Sequence, residues 1–217
     1  MLRPLRAPRR DQLPAEEHVA YDRIVARQRT PGRSSPEEDG HPQLPPYHAG
    51  LATSPPIGEL LSELGRVVRQ RGEHPGTYSH ADREFVDQIL SKDVGWNGLL
   101  RLHVPDGIAA GVRPEAIEAI RGGREQDLNP TEQLLALYIR QMVSGTVKDE
   151  TWEDMVAYMG VRGTVDYSFF IMFLLLIIRT YQAFGGPGDV PDEEIDALVQ
   201  GLKSGQIPIP DFRSRLN

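Results

Sequence analysis

The sequence predicts an all-α fold, a helical bundle. Three observations carry that expectation. Almost every strong apolar pattern repeats with the helical period, residues that start and stop helices bracket those patterns, and the strict alternation of a half-buried strand is nearly absent.

In chain order, the first ten residues, MLRPLRAPRR, carry four arginines and no acid. No apolar run of the kind a secretory signal needs follows them, so they read as a solvated arm. A mitochondrial presequence is the sharper alternative, but Pro4 and Pro8 break the amphipathic helix such a segment uses. Between Thr30 and Pro46 the stretch TPGRSSPEEDGHPQLPP is rich in Pro, Gly, Ser and acids. It reads as a long loop, either disordered or a lid, with composition favouring disorder.

After Ser54-Pro55, an N-cap followed by proline at the first helical position, Ile57, Leu60, Leu61, Leu64, Val67 and Val68 fall on one stripe. In GWNGLLRLHVPDGIAAGV, residues 95–112, helical spacing points Leu99, Leu100 and Leu102 toward a core together with Trp96 and His103. Pro114 opens a short helix that Gly122-Gly123 closes. Leu134, Leu135, Tyr138, Ile139, Met142 and Val143 repeat the stripe after Asn129-Pro130, and Trp152, Met155, Val156 and Met159 do so after KDET. The most hydrophobic segment, FFIMFLLLII at 169–178, is short of the roughly 20 residues that span a bilayer. Apolar all round, it should be buried all round, either centrally or against a second subunit, which predicts a homo-oligomer and no membrane partner. Pro191 opens a last acidic helix. The organisation expected is an arm with one helix and a Pro/Gly-rich loop over 1–50, a helical domain over 51–186, and a helix and tail over 187–217.

Composition narrows the function. The 217 residues are 39% apolar, enough for a core, and the net charge of −7 leaves no basic surface for nucleic acid. Without cysteine there are no disulfides, thiolate metal sites or thiol nucleophiles, and the chain fits a cytoplasmic protein. Histidines at 18, 41, 48, 74, 80 and 103 show no metal-ligand spacing, and no Gly-rich phosphate cradle follows a strand. Neither a metal nor a cofactor is expected.

The segment LHVPDGIAAGV resembles the signature of the carboxymuconolactone decarboxylase and alkyl hydroperoxidase D-like superfamily. There a histidine is followed four positions later by a small residue and then by Ala-Gly-Val, as His103, Gly107, Ala110, Gly111 and Val112 are here. LPAEEHVAYDRIVA, SPPIGELLSELGRVVR, REFVDQIL, PEAIEAIRGG and LNPTEQLLALYIRQMVSGTVKDETWEDM follow the family's order, so the resemblance covers most of residues 12–184. It implies the helical bundle of that family, assembled as a dimer, trimer or hexamer, and a small ring-containing or aromatic-derived substrate.

The departures are as informative. Hydroperoxide-reducing members carry a Cys-x-x-Cys pair where this chain has Trp96 and Leu99, so thiol peroxidase chemistry is excluded. Decarboxylase-like members carry Glu-Trp just before the histidine, at the positions of Leu99 and Leu100. A histidine on an apolar helical face, taken alone, reads as a satisfied core residue; with the motif, His103 reads as a general acid or base. The cofactor-independent lyase reactions open to it are decarboxylation and retro-aldol release of a small aldehyde such as formaldehyde. Arg83 is the candidate cation for the substrate, although Arg83 and Glu84, as sequence neighbours on a helix, should point apart, Glu84 serving a buried ion pair. Tyr47, His48, Tyr78 and His80, near helix starts, and Trp96 and Asn97, at the altered positions, are the candidate substrate contacts. The alternatives are a non-catalytic ligand-binding or assembly role and hydrolysis or isomerisation of a lactone.

Overall fold

The computed structural model describes residues 5–27, 37–38, 40–70, 76–185 and 189–211. Among these the architecture is all-α. The helices are α1 (His18–Arg27), α2 (Pro46–Thr53), α3 (Pro55–Gln70), α4 (His80–Val94), α5 (Leu100–Ala110), α6 (Pro114–Arg121), α7 (Pro130–Ser144), α8 (Asp149–Phe184) and α9 (Asp192–Lys203). Of the 30–46 stretch read as loop or lid, residues 30–36 and 39 lie outside the described residues; Glu37–Glu38 and His41–Pro42 form a two-residue antiparallel ladder.

The chain divides into two compact units, residues 1–67 with 177–188, and residues 68–176 with 189–217. In the first, α1 packs on α2. In the described part of the arm, residues 5–10, Arg6 and Arg10 are exposed as expected but Ala7 is buried, the Leu5 N–H donates to the Phe184 carbonyl at 2.9 Å, and the Tyr21 hydroxyl donates to the Pro8 carbonyl at 2.7 Å. Backbone carbonyls accepting from a buried tyrosine and from the chain itself hold it where composition alone suggested water.

In the second unit α4 is the central helix, packed by α5, α6 and α7, while α9 lies against α5 and α6. Its start is a reciprocal cap, with Ser79 accepting from the Asp82 N–H and Asp82 accepting from the Ser79 N–H. Left-handed Gly95 ends it. Asn129 and Glu132 cap α7 in the same reciprocal way, and Pro130 takes its first turn as the sequence suggests.

Within the single chain, apolar pattern and burial part company in two places. The α3 stripe is largely exposed at Ile57, Leu60, Leu64 and Val67, and only Val68 of the six is fully buried. The 169–178 segment is buried on one side only: Phe170, Ile171, Phe173, Leu174, Ile177 and Ile178 are covered, whereas Phe169 is 66% exposed and Met172 and Leu176 about 40%. Helical spacing groups apolar residues on a face without saying what covers that face. The helix carrying the segment is long and apolar enough, by length and composition, to cross a membrane, but its backbone is non-helical at Gly160.

Candidate functional site

Helix α4 is unusual in its interior. Every residue from Asp82 to Ser91 is buried, and six of them are polar or charged: Asp82, Arg83, Glu84, Asp87, Gln88 and Ser91. Polar side chains at that depth persist only when they find partners or serve a purpose. Glu84, Asp87, Gln88 and Ser91 recur at intervals of three and four, so they share the face that meets α5.

Helix α5 packs closely on that face at Gly107. A Cβ there would already touch the Glu84 Cβ and the Val112 Cγ2, both at 3.5 Å. The helix then stops at Gly111 (φ 110°), with the Val112 N–H donating to the Gly107 carbonyl at 2.8 Å. Gly111 and the Val112 N–H thus have a structural role of their own: they end α5.

The same approach brings His103 to the carboxylates. Its Nδ1 lies 2.9 Å from Glu84 Oε2 and 3.5 Å from Asp87 Oδ2, while Glu84 Oε1 forms an ion pair with Arg83 Nη2 at 2.5 Å. Arg83 and Glu84 therefore do not point apart, contrary to the sequence expectation; the long guanidinium stem folds back along the helix to the neighbouring carboxylate. The Glu84 and Asp87 side chains are 2% and 1% exposed, that of Arg83 10%, and the His103 ring 25%. Gln88 Nε2 approaches the His103 carbonyl at 3.4 Å, tying the α5 backbone to the same face.

The charges depend on one another. Burial, the largest influence on His103, disfavours its proton, yet Asp87 and then Glu84 more than offset this and raise the ring to about 9. For Glu84, burial is again largest and acts upward, but His103, Arg83 and Arg69 together hold the carboxyl below its ordinary value. Asp87 is pushed up to about 7 by burial, reinforced by the Glu84 charge. The arrangement is an imidazole whose Nδ1 is occupied by carboxylates, leaving Nε2 for proton exchange, with the Arg83 guanidinium paired to one of those carboxylates.

The remaining candidates lie elsewhere. Tyr78 is core: 1% exposed, its hydroxyl donates to the Val68 carbonyl and its ring stacks on Phe170 at 5.8 Å between centroids. His80 is the first residue of α4. Tyr47 and His48 belong to the first unit, where Tyr47 is buried and stacks on Tyr181 at 5.1 Å. Trp96 is buried, and so are Leu99 and Leu100, but Leu102 is 60% exposed, against the sequence expectation. Leu100 and Leu102, two residues apart on a helix, do not share a face, so one side of α5 cannot bury both.

Asn97 works as a tether. Its N–H donates to Asp189 Oδ1 at 2.6 Å, its Nδ2 to the Val190 carbonyl and to Asp192 Oδ1, and its Oδ1 accepts from Arg121, which also holds Asp196. A cleft of about 400 Å³ beside this tether, lined by Glu118, Arg121, Arg124, Asp192 and Gln200, does not include His103.

Asp87 is the site residue the sequence reading missed. The available signal was a second acid, three residues after Glu84 and flanked by Phe85, Val86, Ile89 and Leu90. A carboxylate at that spacing within an apolar run has no solvated face to occupy.

The chain matches no protein-family model, no curated protein and no solved structure.

Proposed function

We propose that the chain is a cofactor-independent carbon–carbon lyase of the carboxymuconolactone decarboxylase-like type, acting in the cytoplasm on a small ring-containing carboxylic acid or related aromatic-derived compound. The observation that carries this reading is the pairing of the part-exposed His103 ring with buried Glu84, which fixes Nδ1 and leaves Nε2 as the ring atom able to meet a substrate. The motif resemblance around His103 supports it, with the carboxylate partner supplied from α4 instead of from the residues just before the histidine.

In decarboxylation the bond between the ring carbon and its carboxylate breaks, carbon dioxide leaves, and the electron pair remains on carbon, delocalised into an adjacent carbonyl or ring. Nε2–H then delivers a proton to that carbon. Arg83, 10% exposed, supplies positive charge near the departing carboxylate.

The test is turnover of a panel of carboxylated lactones and hydroxymethylated aromatic acids by the wild-type chain and by His103→Ala, with helical circular dichroism recorded on both. Loss of turnover by at least about a hundredfold with the helical signal intact is expected, the usual scale of a removed general acid. Unchanged turnover in the variant would remove His103 from the chemistry, and an unfolded variant would return it to the core.

The assembly proposed with this function is a homo-oligomer in which a second copy covers the α8 stripe of Val161, Val165, Phe169 and Met172. Phe169→Glu is expected to shift the sedimentation profile to a smaller species while leaving helicity unchanged. A wild-type chain that sediments as a monomer would refute the assembly.

A further inference from the structure

Asp87 has no part in the chemistry just described, yet it is the most completely buried acid of the cluster. Its Oδ2 faces the same His103 Nδ1 that Glu84 holds, and its Oδ1 is buried without a hydrogen-bond partner. Two carboxylates converge on one imidazole nitrogen, and Arg83 is the cation directly paired within the group. With His103 protonated, two positive and two negative groups cancel. With His103 neutral and both carboxylates ionised, the group carries one uncompensated negative charge out of water, which is costly at this depth and is relieved only by a proton on the ring or on a carboxylate.

The ligand-type atoms of Glu84, Asp87 and His103 lie within 4.8 Å of one another, a grouping that a divalent cation would also satisfy. Such a cation would have to displace the proton between Nδ1 and Glu84, would sit beside the Arg83 guanidinium, and would leave the group with one excess positive charge. A proton on the ring achieves balance without these conflicts.

We propose that Asp87 is a positioning residue that, together with Glu84, holds His103 as an imidazolium, so that Nε2 serves as an acid and not as a base. Its catalytic meaning rests on the lyase reading. Under that reading it selects between the two lyase reactions: an imidazolium can protonate the carbon left by departing carbon dioxide, but it cannot remove the hydroxyl proton that begins a retro-aldol cleavage. The charged groups facing the ring are Arg83, Glu84 and Asp87 of α4, with Arg69 of α3 acting on the two carboxylates. On α5 itself Arg101 is turned to Glu194 of α9 at 2.9 Å. The upward displacement of the ring, to which Asp87 is the largest favourable contributor, agrees with the geometry.

The experiment is an NMR titration of the full chain labelled at histidine with ¹³C and ¹⁵N, between pH 5 and 10, the His103 ring being assigned by its loss in His103→Gln. Wild-type His103 is expected to show both ring nitrogens protonated at pH 7 and to titrate on the alkaline side. In Asp87→Asn its proton affinity should fall by about tenfold or more, one pKa unit being a factor of ten. Asp87→Glu should recover most of it. A neutral wild-type ring at pH 7 overturns the proposal by itself, whatever the variants do. So does an unchanged titration in a folded Asp87→Asn, or stoichiometric loss of the His103 signals when Zn²⁺ or Mn²⁺ is added to chelator-treated protein. The readout needs no substrate: a charged ring in a chain that turns over nothing would refute the lyase alone, whereas a neutral ring with turnover lost in His103→Ala would refute only the role of Asp87.

Discussion

Glu84→Ala should lower the unfolding free energy by about 3–5 kcal/mol, measured as the shift in denaturant midpoint at unchanged slope. The side chain removed is 2% exposed and bridges two cations, pairing with Arg83 Nη2 through one oxygen and accepting from His103 Nδ1 through the other. Alanine leaves both donors facing a void, and Arg83 Nε is already buried without a partner. The loss therefore comes mainly from stranding charge in a place with little water, with a smaller part from the cavity. Glu84→Gln keeps the volume and one acceptor, so it should cost less, about 1–3 kcal/mol. If alanine and glutamine cost the same and both under about 1 kcal/mol, the cluster is solvated and the site as described is wrong. His103 should also lose proton affinity in either variant, since Glu84 is one of the two carboxylates holding its charge.

Raising the pH should destabilise the chain well before lysines and tyrosines titrate. His103 has a folded value of about 9 against an ordinary 6.5, so the folded state binds its proton more tightly than the unfolded state. That contribution is complete below pH 6.5 and is lost as the pH rises through 9. Asp87, raised to about 7 from 3.8, acts in the same direction: its contribution is complete below pH 3.8 and disappears as the pH rises through 7. Glu84, held below 4.5, acts oppositely, stabilising above its ordinary value and losing that effect as the solution becomes acid. Stability should thus decline from mildly acid pH toward pH 9, with the His103 part on the order of 3 kcal/mol. Melting temperatures recorded between pH 5 and 10 measure the decline, and His103→Gln should flatten the limb between pH 6.5 and 9. A wild-type curve flat across that limb would mean that the ring is not charged in the folded chain.

The helices were legible because their signals are local. Asn129-Pro130 and Pro114 set starts through backbone geometry that neighbouring residues dictate, and Gly122-Gly123 marks an end for the same reason. Burial was less legible. Ile57, Leu60 and Leu64 have the spacing of a core stripe and are exposed, while Asp82, Arg83, Glu84 and Asp87 have the composition of a solvated face and are buried. Spacing gathers residues on one face of a helix; whether that face meets protein or water depends on elements far away in the chain.

The site divides in the same way. His103 stood out from its motif, but the residues that decide its charge lie 16 and 19 positions earlier, on another helix. No local pattern links them, because the link is the packing of α5 on α4.

By itself the amino-acid order determined that this chain is helical, where most of its helices begin and end, that it offers no thiol, and that His103 is its most notable titratable group. Only tertiary packing decided which helix is central, which apolar stripes stay uncovered, and that Glu84 and Asp87 meet one imidazole nitrogen. Helix geometry follows from interactions within a few residues, whereas the charge on a buried group follows from which distant partners share its water-poor surroundings.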